Sequence, residues 1–523
     1  MFIWCKHSSA QVMTNTRPEK GATNKLSLDS ARNMTVCGQV CLREYKDFKI
    51  ESAEFSALPE NISAEYHIAE CILFNDGVPY PDILSSKRSV AVKAHYTQSL
   101  WVSFRVSAAT ATGKYPIAFH IHTSLGDFTA EFELTVYSAV LPEPKNAAFG
   151  HEYFFVSDED FAYNDIPACP SNPYKYARYS KEWWALMREY AKTMKDLRVN
   201  SLYLSSLALL KDAGSKKLSD TEWVFHFELL DKFVQTFLEY GSFNKITVRA
   251  IISCADGNTI EAIDENGGSK LLKIPEAEAE NWAKAYYTAI YQHFKEMGWL
   301  ELLHMHLQDE PHKKDYWQWA RELCKLYMPN IPCSEPLDTH AVVEELQSLD
   351  LYIPRIDIYE ENTAFYKKQQ KRGAQLWVYS CCYPEENWWL NKFIDLPPVH
   401  SRQMSWVCFS QGITGFLHWG FNQWFADLYG ISPSSRFKGD GFIVYPNAEN
   451  NTVDLSVRAI NTRDGIQEYE LLHLLCLKSP KKAKSLAKRV GKSFLNFNQN
   501  ENCVDFARRE LLQLLEDCSE QQP

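Results

Sequence analysis

Residues 302–312 read LLHMHLQDEPH, a short apolar strand pattern that runs straight into two adjacent carboxylates, Asp309 and Glu310, and then a proline. Strand texture then gives way to a helical pattern from about Lys313. Pro311 removes a backbone donor and favours an extended Glu310, so the strand should stop there. A strand that ends in charge and hands over to a helix is one unit of an alternating β/α fold.

The same texture repeats on both sides. Further strand candidates are FGHEYFFV (149–156), VNSLYLSS (199–206), KITVRAIIS (245–253), a weak one near IPCSE (331–335), LDLYIPRID (349–357), AQLWVYSC (374–381) and ITGFLHWG (413–420). With residues 302–308 they make the eight that a closed barrel requires. Helical patterns lie between them; in the clearest, Trp183, Met187, Tyr190, Met194 and Leu197 recur along one face. The alternation predicts a parallel sheet, and its length favours a (β/α)8 (TIM) barrel over residues 143–478. An open doubly wound sheet is the alternative, weakened because no Gly-rich phosphate loop follows any strand.

Residues 25–142 read as all-β. VAVKAHYTQ (90–98), LWVSFRVSA (100–108), YPIAFHIHTS (115–124) and TAEFELTVYS (129–138) alternate apolar and polar positions, with Gly113 and Gly126 at turns. A β-sandwich is expected, ending at the proline-punctuated AVLPEP (139–144). After the barrel strands, DGFIVYP (440–446) is strand-like. Residues 456–475 read as the last barrel helix, and 479–523 as a small helical extension. The basic run KSPKKAKSLAKR (478–489) reads as a solvated helix face, and Arg463–Asp464 as structural.

Composition narrows the function classes. The net charge is −11 with both signs interspersed, which disfavours nucleic acid and anionic membranes as partners. The 14 cysteines form no metal or disulfide pattern, and no cofactor motif is present. The opening residues lack a basic region followed by an apolar run, and no stretch is long enough to span a bilayer; a cytoplasmic protein is the expectation. Aromatic residues reach 14%, including 15 Trp. Most belong to packing, but flat rings at strand ends also suit sugar binding.

In barrels the chemistry sits at the carboxyl ends of the strands, where Asp309 and Glu310 fall. The competing explanation is that they cap the helix that follows. Many retaining barrel glycosidases place a second carboxylate after strand seven. Here that strand end offers Tyr379, Ser380, Cys381, Cys382 and Tyr383, with no carboxylate before Glu385. An adjacent Asp–Glu pair fits substrate assistance better. In that scheme the sugar's 2-acetamido oxygen attacks the anomeric carbon, Glu310 protonates the leaving oxygen and Asp309 stabilises the acetamido nitrogen. Trp377 and Tyr379 share a strand face. Tyr379 is the candidate for the acetamido carbonyl and Trp419 for the floor beneath the ring, with His418, Asn422 and Trp424 as further candidate substrate contacts. Glu335 and Asp338 read as solvated loop groups, and Asp357, Glu360 and Glu361 as the alternative acids. His304 and His306, alternating on one strand, read as satisfied barrel histidines rather than metal ligands.

Several segments together resemble a known group: HLQDEPH (306–312), LWVYSCCYP (376–384), NKFIDLP (391–397), GITGFLHWGFNQW (412–424), GDGFIVYP (439–446) and INTRDGIQEYELL (460–472). Upstream, ARNMTVCGQVCLRE (31–44), QSLWVSFRVSAATATGKYPIAF (98–119) and FELTVYSAVLPEP (132–144) extend the match. These resemble the domain of unknown function 4091, which is related to glycoside hydrolase family 123. The resemblance implies a β-sandwich followed by a (β/α)8 barrel. It also implies a β-N-acetylgalactosaminidase-like activity on a carbohydrate substrate, an Asp–Glu pair at Asp309 and Glu310, and an assisting tyrosine at Tyr379. Many relatives are exported, whereas no leader is read here. A barrel glycosidase using a remote carboxylate on a neutral sugar, and a non-catalytic carbohydrate-binding protein, stand as the competing readings.

Overall fold

The structure, a computed structural model, describes residues 1–74, 76–157, 162–163, 166–167, 173–252, 257–341, 343, 346, 349–424 and 438–520. Its first part is two sheets. One runs in the order Phe2–His7, Met34–Arg43, Thr97–Val106, Ile62–Leu73, Pro79–Ser85, Thr452–Ser456, Val444–Asn447. The other runs Lys25–Arg32, Gly126–Val140, Gly113–Thr123, Phe48–Phe55, Val90–Val92. Alternating residues of both, such as Val36, Val102, Phe104, Phe119 and Phe132, form one buried apolar cluster. The stretch 90–98, expected as one strand, is broken by a turn at His95, whose φ is +65°.

A mixed α/β region follows, and each expected strand segment contributes to it. The strands Leu303–Met305, Lys245–Val248, Ser201–Leu204, Gly150–Tyr153, Gly415–His418 and Val378–Tyr379 lie side by side, all parallel. Ser334–Leu337, Leu351–Pro354 and Gln375–Leu376 form a second parallel group. Single parallel bridges join the two groups at Met305–Cys333 and Arg355–Tyr379. Long helices alternate with the strands. Lys181–Asp196 buries Trp183, Met187, Tyr190 and Met194, the expected face, and Ser180 caps it by accepting from the Trp183 amide.

The tail departs from expectation. The hairpin Val444–Asn447/Thr452–Ser456 joins the first sheet, pairing Leu455 with Leu84 and Ser456 with Ile83. Phe2–His7 also pairs into that sheet, so it draws on residues outside 25–142. The helix Cys503–Glu520 packs Leu511, Leu512 and Leu515 into the core shared by the two sheets. These segments adhere to the amino-terminal sheets because both present apolar surface that water would otherwise cover. A buried ion pair reinforces the seam, Arg458 Nη2 to Asp82 Oδ2 at 3.0 Å. Pro480–Val490, the basic run, keeps its lysines outward and buries Ala483, Leu486, Ala487 and Val490. Arg463 and Asp464 pair at 2.9 Å in the interior. Among the described residues, no helix is long and apolar enough to cross a membrane.

Candidate active site

Asp309 and Glu310 follow the strand Leu303–Met305 at its carboxyl end. The next helix begins only at Lys314, with Lys313 in the capping position and no side-chain cap, so the acids do not cap it. Glu310 is not extended as Pro311 led us to expect. Its φ is +49°, in the left-handed region. A non-glycine residue pays a local strain of about 1–3 kcal/mol there, tolerated when the surroundings hold it in place. What holds Glu310 is Tyr379, whose hydroxyl donates to Glu310 Oε1 at 2.5 Å.

The pair is electrostatically tense. Burial, then the neighbouring Glu310, push the Asp309 carboxyl up to about 8, against the pull of Arg249. The Asp309 side chain is 40% exposed, so water softens this rise. Burial raises Glu310 too, while the Tyr379 hydrogen bond and the charges of Arg355 and His312 oppose it. Asp338 raises both and is itself held by His312 Nε2 at 3.0 Å. Arg355 is clamped by Asp357 through two hydrogen bonds of 2.7 and 2.8 Å.

Beneath Asp309 lies a group that sequence reading misjudged. Glu335 is fully buried rather than a solvated loop acid. It accepts from the Leu307 amide and Trp317 Nε1, each at 3.0 Å, and from the Gln308 amide at 3.4 Å. His306 Nε2 stands 3.4 Å from Glu335 Oε2 and 3.6 Å from Asp309 Oδ1. Burial and Arg249 lower His306 to about 3, so its imidazole is neutral. His304 lies one layer deeper, facing Lys245, and burial lowers it to about 3 as well. Among the described residues no group of three His, Cys, Asp or Glu could hold a metal ion.

The remaining candidates separate into those near the pair and those that hold the scaffold. Tyr379 and Trp377 do share a face and one interior cluster. Trp377, however, is only 4% exposed. It lies flat against Gly150 and Gly415, where any Cβ would collide with its ring, and Lys245 Nζ sits 3.7 Å from its centroid. That is an interior filler with no face open to a sugar. His418 is fully buried, its two ring nitrogens 3.0 Å from the Ser380 carbonyl and 2.8 Å from the Asp440 carbonyl. Asn422 is spent on the backbone of Val156, accepting from its amide at 3.0 Å and donating to its carbonyl at 2.9 Å. Trp424 is buried and donates to the Val444 carbonyl at 2.8 Å. Trp419 is half-buried, its Nε1 donating to Asp440 Oδ2 at 2.5 Å. Of the alternative acids, Glu360 accepts from the Phe494 amide at 2.6 Å, on the side of the carboxyl-terminal loop. Glu361 is exposed.

Reading the sequence missed Arg249, His306, Glu335 and Arg355 as parts of this neighbourhood. The signal for two of them was present, since Arg249 and Arg355 each end an apolar strand run with a charge.

A family model described as glycoside hydrolase 123, catalytic domain, matches residues 166–475. A family 123 glycoside hydrolase from Clostridium perfringens, whose structural analysis concerned glycolipid glycan hydrolysis, superposes with a TM-score of 0.76 at 14% identity. That match covers 99% of this chain and 98% of the other. An endo-β-1,4-mannanase from Thermotoga petrophila gives a TM-score of only 0.36 at 11% identity, over 63% of this chain and 78% of its own. No curated protein matches the sequence.

Proposed function

This chain belongs to the glycoside hydrolase 123 family, and we propose that it cleaves terminal 2-acetamido sugars, of the β-N-acetylgalactosaminide type, with Asp309 and Glu310 as the catalytic pair. One observation carries the reading: adjacent acids end a parallel strand in different surroundings, Glu310 bonded by Tyr379 and Asp309 lying over the His306–Glu335 layer. Acids so placed cannot flank a glycosidic bond from opposite faces, as direct displacement demands. They can serve one face of a substrate that supplies its own nucleophile.

In that mechanism the acetamido oxygen attacks the anomeric carbon as the bond to the aglycone oxygen breaks. Glu310 gives its proton to that oxygen. The resulting oxazolinium keeps its N–H on ionised Asp309. Water then attacks the anomeric carbon from the face the aglycone left, passing a proton to Glu310, so configuration is retained. Without substrate the two carboxyls share a proton: burial raises both, and the Tyr379 hydrogen bond favours ionised Glu310. An amide N–H donated to Asp309 stabilises its ionised form and moves the shared proton to Glu310. A 2-acetamido substrate thereby sets the acid it needs.

The architecture that goes with this reading is a β-sandwich followed by a (β/α)8 barrel. The parallel pairings of the eight strand segments in chain order support the barrel, as do the two bridges that link their groups. Trp419, steadied by Asp440, is the proposed platform for the sugar ring, while the buried Trp377, His418, Asn422 and Trp424 hold the surrounding scaffold. The glycan of a glycolipid, which the Clostridium perfringens work concerned, is a reasonable physiological class of substrate. The test is hydrolysis of a nitrophenyl β-N-acetylgalactosaminide by the wild-type chain and by Glu310→Gln. Loss in the variant with folding preserved is the expected result; equal turnover of the plain galactoside would remove substrate assistance.

A further inference from the structure

Under Asp309 the structure leaves one polar atom unsatisfied. Among the described residues, His306 Nε2 is buried without a hydrogen-bond partner, although it points between two carboxyl groups, 3.4 Å from Glu335 Oε2 and 3.6 Å from Asp309 Oδ1. Its other nitrogen, Nδ1, is 3.4 Å from the Tyr203 hydroxyl, and the Tyr203 ring stacks on Phe154 with centroids 4.0 Å apart. Glu335 is rigidly seated by two backbone amides and the Trp317 indole. A buried carboxyl, a buried imidazole and a half-exposed carboxyl therefore lie in file, spanning the fifth strand, the fourth strand and the site.

We propose that Glu335 is a positioning residue for Asp309, acting through His306 by directing the Nε2 hydrogen toward the Asp309 carboxylate. This rests on the role given to Asp309 above. The physical reason lies in tautomers. Burial raises the Glu335 carboxyl, but the Trp317 indole and the Leu307 and Gln308 amides all donate to it and favour its acceptor form. With Oε2 as an acceptor, the imidazole keeps its hydrogen on Nε2, and Tyr203 donates to Nδ1. The Nε2 hydrogen then lies between both carboxyl oxygens and supports negative charge on Asp309, the form that holds the oxazolinium N–H. An amide in place of Glu335 can turn its NH2 toward Nε2. The imidazole hydrogen would then move to Nδ1, and Asp309 would face a lone pair that opposes its ionisation. Other groups facing Asp309 are Glu310 on its own segment, Asp338 beyond the fifth strand and Arg249 from the third. Those facing Glu335 from behind are Tyr287 and Cys333. None of them changes in the test.

The test compares wild type, Glu335→Gln, His306→Leu and His306→Gln, in which the Gln amide N–H stands in for Nε2–H. The first readout is the pH dependence of kcat on a nitrophenyl β-N-acetylgalactosaminide. The second needs no substrate: the carboxyl 13C titration of Asp309 in labelled protein, assigned by its loss in Asp309→Asn. In Glu335→Gln and His306→Leu we expect the Asp309 midpoint and the acid limb of kcat to rise by about one pH unit, the scale of one altered hydrogen bond to a charge. We expect kcat to fall about tenfold with KM little changed, the rate equivalent of about one pKa unit. His306→Gln should recover most of both. An Asp309 midpoint unmoved in folded His306→Leu overturns the proposal even where Glu335→Gln fails to fold. A wild-type chain inactive on hexosaminides instead removes the functional reading, and the titration still decides the positioning role.

Discussion

Tyr379 and Glu310 stand 69 positions apart in the chain and meet in a single hydrogen bond of 2.5 Å, hydroxyl to carboxylate. That bond favours the ionised form of Glu310. Tyr379→Phe keeps the ring and its packing against Leu351, Ile353 and Leu417 but removes the donor. Folding should be unaffected and kcat should drop about tenfold or more, the usual scale for one lost charge-assisted contact at a reacting group. Steady-state kinetics beside a melting curve check it; full activity would detach Tyr379 from the pair.

The two acids titrate as a pair that works with one proton bound. Burial and mutual repulsion delay loss of that last proton, so the alkaline limb of kcat/KM should lie near about 8. In Asp309→Asn the repulsion is gone. The residual activity should therefore lose its alkaline limb at lower pH, not higher. Profiles across roughly pH 5–10, which bracket the alkaline limb, would show a rise instead if the assignment were reversed.

Glu310 holds a left-handed backbone angle that glycine adopts without strain. Glu310→Gly also removes a half-buried carboxyl. The variant should be inactive yet more stable by roughly 1 kcal/mol. Chemical denaturation tests this, and a clear destabilisation would contradict the strain.

Far from the site, Arg402 is fully buried and ties Glu468 to Asp505, with Nη1 2.9 Å from Asp505 Oδ1. Arg402→Met leaves Arg508 to face both Glu468 and Asp505 and should cost about 3–5 kcal/mol. Activity at temperatures well below unfolding should persist.

Burial alone would raise the Asp505 carboxyl, but Arg402, His7 and Arg508 hold it well below the usual carboxylate range. A depressed folded-state value means stabilisation that is complete above the unfolded carboxylate pKa, near about 4, and lost as pH falls through the folded value. Asp505→Asn should therefore be less stable at pH 7, with the gap to wild type closing as pH drops below about 4. A gap independent of pH would assign the loss to packing.

The strands were legible because apolar runs of four to eight residues between helical periods have few other solutions in water. Each of the eight segments lies in a parallel ladder, and the shared face of Trp377 and Tyr379 followed from the two-residue period alone. Local chemistry also located the charged strand end at Asp309–Glu310. Depth was not legible. Whether Trp377 meets a sugar or fills the interior depends on Gly150 and Gly415 from neighbouring strands. Glu335 looks like any loop acid until the parallel bridge at Met305–Cys333 places it under the Leu307 amide. The local rule that proline imposes on Glu310 was overridden by tertiary contacts. Which segments exist was thus determined by short-range periodicity in the sequence. What each polar side chain faces was decided only by the tertiary structure, because strand register and pairing join residues that no local pattern relates.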